Sequence, residues 1–137
     1  MPYHREKSSD PRQEAATALA TLVEGNARFA SGTPAPHIVA PTTRESLLEG
    51  QDPIAVLLGC VDSRVPPEVV LDQGVGDLLA VRTAGQSLAG VALGSIEFGV
   101  RVLGIPLVVV LGHTGCGAVL AARVKDHFPD LERRYDA

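Results

Sequence analysis

The stretch Ile54-Ala-Val-Leu-Leu-Gly-Cys-Val-Asp-Ser-Arg64 decides how this chain folds. It opens on an unbroken apolar run that closes at Gly59. A run this short, bounded by glycine, reads as a buried strand over about 54–60. The strand hands three chemically active side chains, Cys60, Asp62 and Arg64, to the turn beyond it. The same grammar returns in Ile105-Pro-Leu-Val-Val-Val-Leu-Gly-His-Thr-Gly-Cys116. There a strand over about 106–112 delivers His113 and, three residues later, Cys116. The two segments together hold both cysteines of the chain and one of its four histidines.

Between them Leu78-Leu-Ala-Val-Arg-Thr83 reads as another strand, followed by Ala84-Gly85. Pro66-Pro-Glu-Val-Val-Leu-Asp72 suits a short helix, closed by Gly74 and Gly76. A longer helix is expected over 87–103, with Leu88, Val91, Ala92, Ile96, Val102 and Leu103 as its apolar side. Gly90, Gly94 and Gly99 weaken it intrinsically and permit close packing on a sheet. A last helix starts near Ala118. Upstream, Asp10-Pro-Arg-Gln13 reads as a helix start, with Asp as N-cap and Pro at the first helical position. Leu19, Leu22, Val23, Asn26 and Ala30 keep helical spacing, Phe29 lies beside them, and Gly32 is the stop. Pro34, Pro36 and Pro41 make 33–43 an extended connector. Residues 1–10 read as a disordered tail and 11–137 as a single domain. Alternating strands and helices imply an α/β fold: a parallel β-sheet of at least three strands, flanking helices and an N-terminal helical arm.

The chain has 137 residues, enough for one domain with a real core, and 45% of them are hydrophobic. With aromatics at 4% and no Trp, that core must be aliphatic. A net charge of −4 without a Lys/Arg cluster argues against a nucleic-acid partner. The polar N-terminus lacks the apolar stretch of a secretory signal, and no apolar run reaches membrane-spanning length. The expected compartment is the cytoplasm, where thiols stay reduced.

Ligands of parallel sheets gather outside the C-terminal strand ends. Cys60, His113 and the Thr83-Ala84-Gly85 turn all belong there. Two thiols and one imidazole make a zinc site of two sulfurs and one nitrogen, with a fourth position to fill. A Cys60–Cys116 disulfide is the alternative; reducing conditions and the neighbouring His, Asp and Arg favour the metal. Side chains two apart on extended backbone project to the same side, so Asp62 and Arg64 accompany Cys60. Asp62 can take the fourth position or accept a hydrogen bond from a zinc-bound water. Arg64 can hold it by a paired, charge-assisted contact. An isolated Asp-x-Arg would read as a loop ion pair; behind a zinc thiolate the functional reading is favoured. His4, His37 and His127 sit in polar or proline-rich segments and read as surface residues. Zinc brings bound water toward neutral pKa, so the expected reaction is attack of zinc-bound hydroxide on a small electrophilic carbon.

Four segments then carry a resemblance. Cys60-Val-Asp-Ser-Arg-Val-Pro-Pro-Glu68, Gly76-Asp-Leu-Leu-Ala-Val-Arg-Thr-Ala-Gly85, Ser95-Ile-Glu-Phe-Gly-Val100 and Val108-Val-Val-Leu-Gly-His-Thr-Gly-Cys-Gly-Ala-Val119 resemble the β-class carbonic anhydrases, in order and with sensible spacing. The match runs from about Glu24 to Val119. The resemblance implies Zn2+ bound by Cys60, His113 and Cys116, with Asp62 and Arg64 as the catalytic dyad controlling the fourth position. It puts Gly85 on the turn whose backbone faces the substrate, and Phe98 where an aromatic residue lines the pocket. It implies reversible hydration of carbon dioxide to bicarbonate, and a homodimer or higher homo-oligomer with the N-terminal helix reaching across. Members of that family usually continue with more helices and a further strand, whereas this chain stops at Ala137. The strand over 106–112 is therefore expected to be an apolar edge, covered by a partner or by a terminal helix over 118–135. Two other readings share the same ligands: hydrolysis of carbonyl sulfide or carbon disulfide, and a non-catalytic zinc protein.

Overall fold

Strand β1, Ala55–Cys60, is the centre of the molecule, and all six of its residues are buried. The computed structural model describes residues 10–36 and 41–123. On one side β1 pairs in parallel with β2, Leu78–Thr83, placing Ala55 opposite Leu78 and Cys60 opposite Thr83. On the other it pairs in parallel with β3, Val108–Leu111, placing Val56 opposite Val108 and Gly59 opposite Leu111. The order β2-β1-β3 explains the sequence of β1. A central parallel strand is covered on both faces, so it is continuously apolar rather than alternating. The first crossover carries the chain to one side of β1 and the second returns it to the other. A crevice opens where the direction reverses, at the C-terminal ends of β1 and β3.

Helix α1, Pro11–Ala30, starts as its sequence predicts: the Asp10 carboxylate accepts from the Arg12 N–H at 2.9 Å. Its buried face shares only Leu22 with the expected one. Ala18, Leu22 and Gly25 are buried, while Leu19 and Val23 are exposed. Close approach sets this choice. A Cβ on Gly25 would lie 1.9 Å from the Leu71 carbonyl oxygen, so only glycine lets α1 press against the end of α3, Pro67–Val70. Asn26 Nδ2 donates to the Val70 carbonyl at 2.8 Å, and Arg28 pairs with the buried Asp72 carboxylate. The returning chain adds the Ala35 N–H, 3.1 Å from both Asp72 oxygens. Leu22 thereby joins Ala55, Leu57, Val70 and Leu71 in the core.

Two further expectations need correction. The connector over 33–43 is not extended to its end, because helix α2 begins at Pro41 and runs to Ser46. Proline costs a helix nothing at its first position. The helix expected over 87–103 is α4, Gly90–Glu97, followed by a π-helical turn, Phe98–Val102. Its predicted apolar side is covered only in part: Ala92 is buried and Ile96 and Leu103 are half-buried, whereas Leu88, Val91 and Val102 are exposed. Leu88 lies before the helix begins, and for Val102 the wider π turn breaks the 3.6-residue phase from which that side was extrapolated. Small residues make the sheet contact instead, since a Cβ on Gly99 would lie 2.6 Å from the side chains of Leu79 and Val56.

Helix α5, Gly117–Arg123, packs on the 3-10 turn Ala84–Gln86. Residues 124–135 of the expected terminal helix, residues 1–9 of the tail, and His4, His37 and His127 lie outside the described residues. Among the described residues β3 is a sheet edge, with Val108 and Val110 exposed. No helix among them is long and apolar enough to cross a membrane.

Candidate metal centre

Three segments meet at the crevice. Cys60 is the last residue of β1, His113 stands two residues beyond β3, and Cys116 immediately precedes α5. Gly115 makes the last placement possible, because its φ of +64° lies in the left-handed region that side chains disfavour. Cys60 and Cys116 are buried free thiols with their sulfurs 3.8 Å apart. One ligand atom from each of Cys60, His113 and Cys116 lies within 4.8 Å of the other two.

The imidazole is prepared for a metal. Nδ1 lies 3.0 Å from the Thr114 carbonyl oxygen, which assigns it the proton and leaves the lone pair on Nε2. Nε2 is buried and has no hydrogen-bond partner. Such an orphan is costly unless something satisfies it, and a cation held by two sulfurs would do so. The donor set therefore fits zinc. Burial pushes the Cys60 thiol up, but His113, the N–H groups of Asp62 and Gly85, and Cys116 outweigh it and bring the thiol down to about 7. The Cys60 thiol in turn pushes the His113 imidazole up. A thiol this close to neutrality gives up its proton readily, as a metal ligand must.

Asp62 stands at the rim. Its Oδ1 accepts from the Arg64 backbone N–H at 3.0 Å and from Nε at 2.9 Å; its Oδ2 accepts from Nη2 at 2.7 Å. This fork holds the carboxyl well below the usual carboxylate range and raises the Arg64 guanidinium. Asp62 Oδ2 is 3.9 Å from His113 Nε2, so the fixed carboxylate borders the donor cluster.

The Gly85 N–H donates to the Cys60 sulfur at 3.4 Å, which brings that glycine into the site through a ligand. Phe98 lines a groove of about 480 Å³ with Leu79, Ala80, Val81, Val91, Gly94 and Ser95, a lining that includes none of the donors and neither member of the Asp62–Arg64 pair. Two residues at the site escaped the sequence reading. Arg82 donates from Nε to the Cys60 carbonyl at 2.8 Å and from Nη2 to the Asp62 carbonyl at 2.7 Å. Gln86 Nε2 donates to the Leu111 carbonyl at 2.8 Å. A lone charge at the end of an otherwise apolar strand was the available signal for Arg82.

A family model described as carbonic anhydrase matches residues 55–133. Carbonic anhydrase 2 of Mycobacterium tuberculosis is 49% identical over 112 residues, covering 82% of this chain and 54% of that protein. Among solved structures, the β-carbonic anhydrase CcaA is similar with a TM-score of 0.65 and 29% identity, covering 88% of this chain and 56% of that one. A Coccomyxa β-carbonic anhydrase in complex with acetazolamide follows at a TM-score of 0.59 and 27% identity, covering 85% and 49%. The chain spans about half the length of the curated relatives it matches.

Proposed function

Because this chain belongs to the carbonic anhydrase family, we propose that it catalyses the zinc-dependent, reversible hydration of carbon dioxide to bicarbonate. One observation carries the reading: three zinc-type donors within 4.8 Å of one another, bordered by a carboxylate that an arginine holds by both oxygens. Cys60, His113 and Cys116 would hold the ion. Zinc so bound supplies Lewis acidity, which brings the pKa of water toward neutrality.

The chain's own residues do the rest. Asp62 is ionised throughout the neutral range and acts as a hydrogen-bond acceptor. It would accept a hydrogen bond from the nucleophilic water and so orient it toward the carbon of the substrate. Arg64 keeps the carboxylate in that role by donating an N–H to each of its oxygens, which would withhold it from the metal. Two thiolates donate more charge than two imidazoles and oppose acidification of the nucleophile, so this acceptor matters. The Gly85 N–H tempers the charge on Cys60.

The cytoplasm suits two free thiols. The working form is a homo-oligomer, supported by the exposed apolar side chains of Val91, Val102 and Val110. Light scattering on a gel-filtration peak tests this, and a stable, soluble monomer would count against it. Stopped-flow hydration of carbon dioxide by zinc-loaded protein across pH, beside Asp62→Ala, tests the activity. A zinc-dependent rate in the native protein and a large loss in the variant are expected. No rate above buffer at any pH would sink the assignment, and equal rates would remove Asp62 from the chemistry.

A further inference from the structure

We propose that Arg82 and Gln86 are positioning residues of the metal centre, forming a bracket from β2 that fixes the two ligand-bearing strand ends against each other. The inference rests on the metal reading above. Neither residue is placed by its hydrogen bonds on a donor atom; both act on main-chain carbonyls.

β2 and β3 lie on opposite sides of β1 and are not neighbours. The only way for the turn after β2 to reach β3 is across the C-terminal end of β1. Gln86 makes that reach: its side chain donates to the carbonyl of Leu111, the last residue of β3, two positions before His113. It does so with a φ of +56°, a conformation uncommon outside glycine, asparagine and aspartate. Backbone held there persists only when its surroundings over-determine it.

Arg82 takes the other strand end. The regular β1–β2 pairing stops at Cys60 opposite Thr83. Beyond it the Val61 N–H donates to the Thr83 carbonyl at 3.1 Å, and the Arg82 guanidinium accounts for the carbonyls on either side, Cys60 and Asp62. One planar group therefore fixes the main chain of a metal ligand and of the carboxylate beside it. Lysine, a single point donor on a flexible stem, cannot hold both carbonyls in one geometry. The third ligand is approached by packing: a Cβ on Gly85 would sit 3.4 Å from Val119 and 3.5 Å from Ala118, in the helix that follows Cys116. Arg82 near the end of β2, with Gly85 and Gln86 in the turn after it, thus addresses all three donors.

The variants are Arg82→Lys, which keeps the charge and loses the fork, and Gln86→Asn, which keeps an amide and tolerance of positive φ but loses the reach. Each is read three ways on the whole chain: the absorption bands of the cobalt-substituted site, the zinc dissociation constant by chelator competition, and the thermal midpoint of metal-free protein. The expected result is a changed cobalt spectrum and a zinc dissociation constant raised about 10- to 100-fold, the usual cost of losing an outer-shell partner. A fallen midpoint with native spectrum and affinity would make the bracket merely structural and overturn the proposal. If one variant does not fold, the other decides. A native chain that takes up neither cobalt nor zinc would sink the metal reading alone. The bracket is then read on metal-free protein by phenylarsine oxide, which bridges paired thiols. Slower capture in Arg82→Lys supports it, and equal capture overturns it.

Discussion

Asp72 shows what a single buried charge does away from the metal. Its side chain is 2% exposed and meets Arg28 and the Ala35 N–H, so it ties α1 and the returning chain to the segment after α3. Its φ of +49° adds a backbone requirement that asparagine tolerates better than alanine. Removing one partner of a buried pair can cost about 3–5 kcal/mol. Arg28 is 38% exposed and regains water, which lowers the expected loss for Asp72→Ala to about 2 kcal/mol. Asp72→Asn loses less, because it keeps the turn and an acceptor. Urea unfolding of the two variants checks the order, and equal stabilities would refute it. The contrast with the metal centre explains what was legible in the sequence. Cys60, Asp62, Arg64, His113 and Cys116 announce themselves by residue type and spacing. Asp72, Arg82 and Gln86 act on main-chain atoms or distant partners, and such contacts leave no periodic trace.

At the scale of elements, the strands were legible and the helix faces only in part. A buried parallel strand is apolar at every position, so β1 needs no phase to be recognised. A helix face must be extrapolated at a fixed angular step, and α4 changes that step at the π turn Phe98–Val102. On α1 the contact is centred on a glycine, which hydrophobic spacing passes over. Gly25→Ala puts two effects in opposition. Alanine gains about 1 kcal/mol of helix propensity over glycine. Its Cβ also meets the Leu71 carbonyl at 1.9 Å, a backbone atom that cannot rotate away. Overpacking costs about 1–3 kcal/mol even where side chains can adjust. The clash wins, and a net loss of about 2 kcal/mol is expected in chemical denaturation, accompanied by easier proteolysis within α1. A variant as stable as the native chain would mean that α1 does not lie this close to α3.

For the whole molecule, two predictions separate assembly from folding. Val108 and Val110 project from the same face of the edge strand β3, 43% and 64% exposed. Val110→Lys should shift the chain toward monomer in light scattering while leaving its far-ultraviolet circular dichroism unchanged; an unaltered oligomer would exclude this face from the interface. A metal held at the site would act on folding itself, because its donors come from two regions far apart in sequence: the end of β1 and the turn between β3 and α5. An ion bound only by the folded arrangement stabilises it by mass action. At free zinc a thousandfold above its dissociation constant this amounts to about 4 kcal/mol. For a chain of this length that corresponds to a rise of roughly 12 °C in Tm. Calorimetry of zinc-loaded and chelator-treated protein measures the difference directly. Replacing Cys116 by Ser should abolish most of the zinc-dependent rise, whereas Val110→Lys should keep it. A Tm indifferent to zinc would mean that the donors, though gathered within 4.8 Å, do not close on an ion.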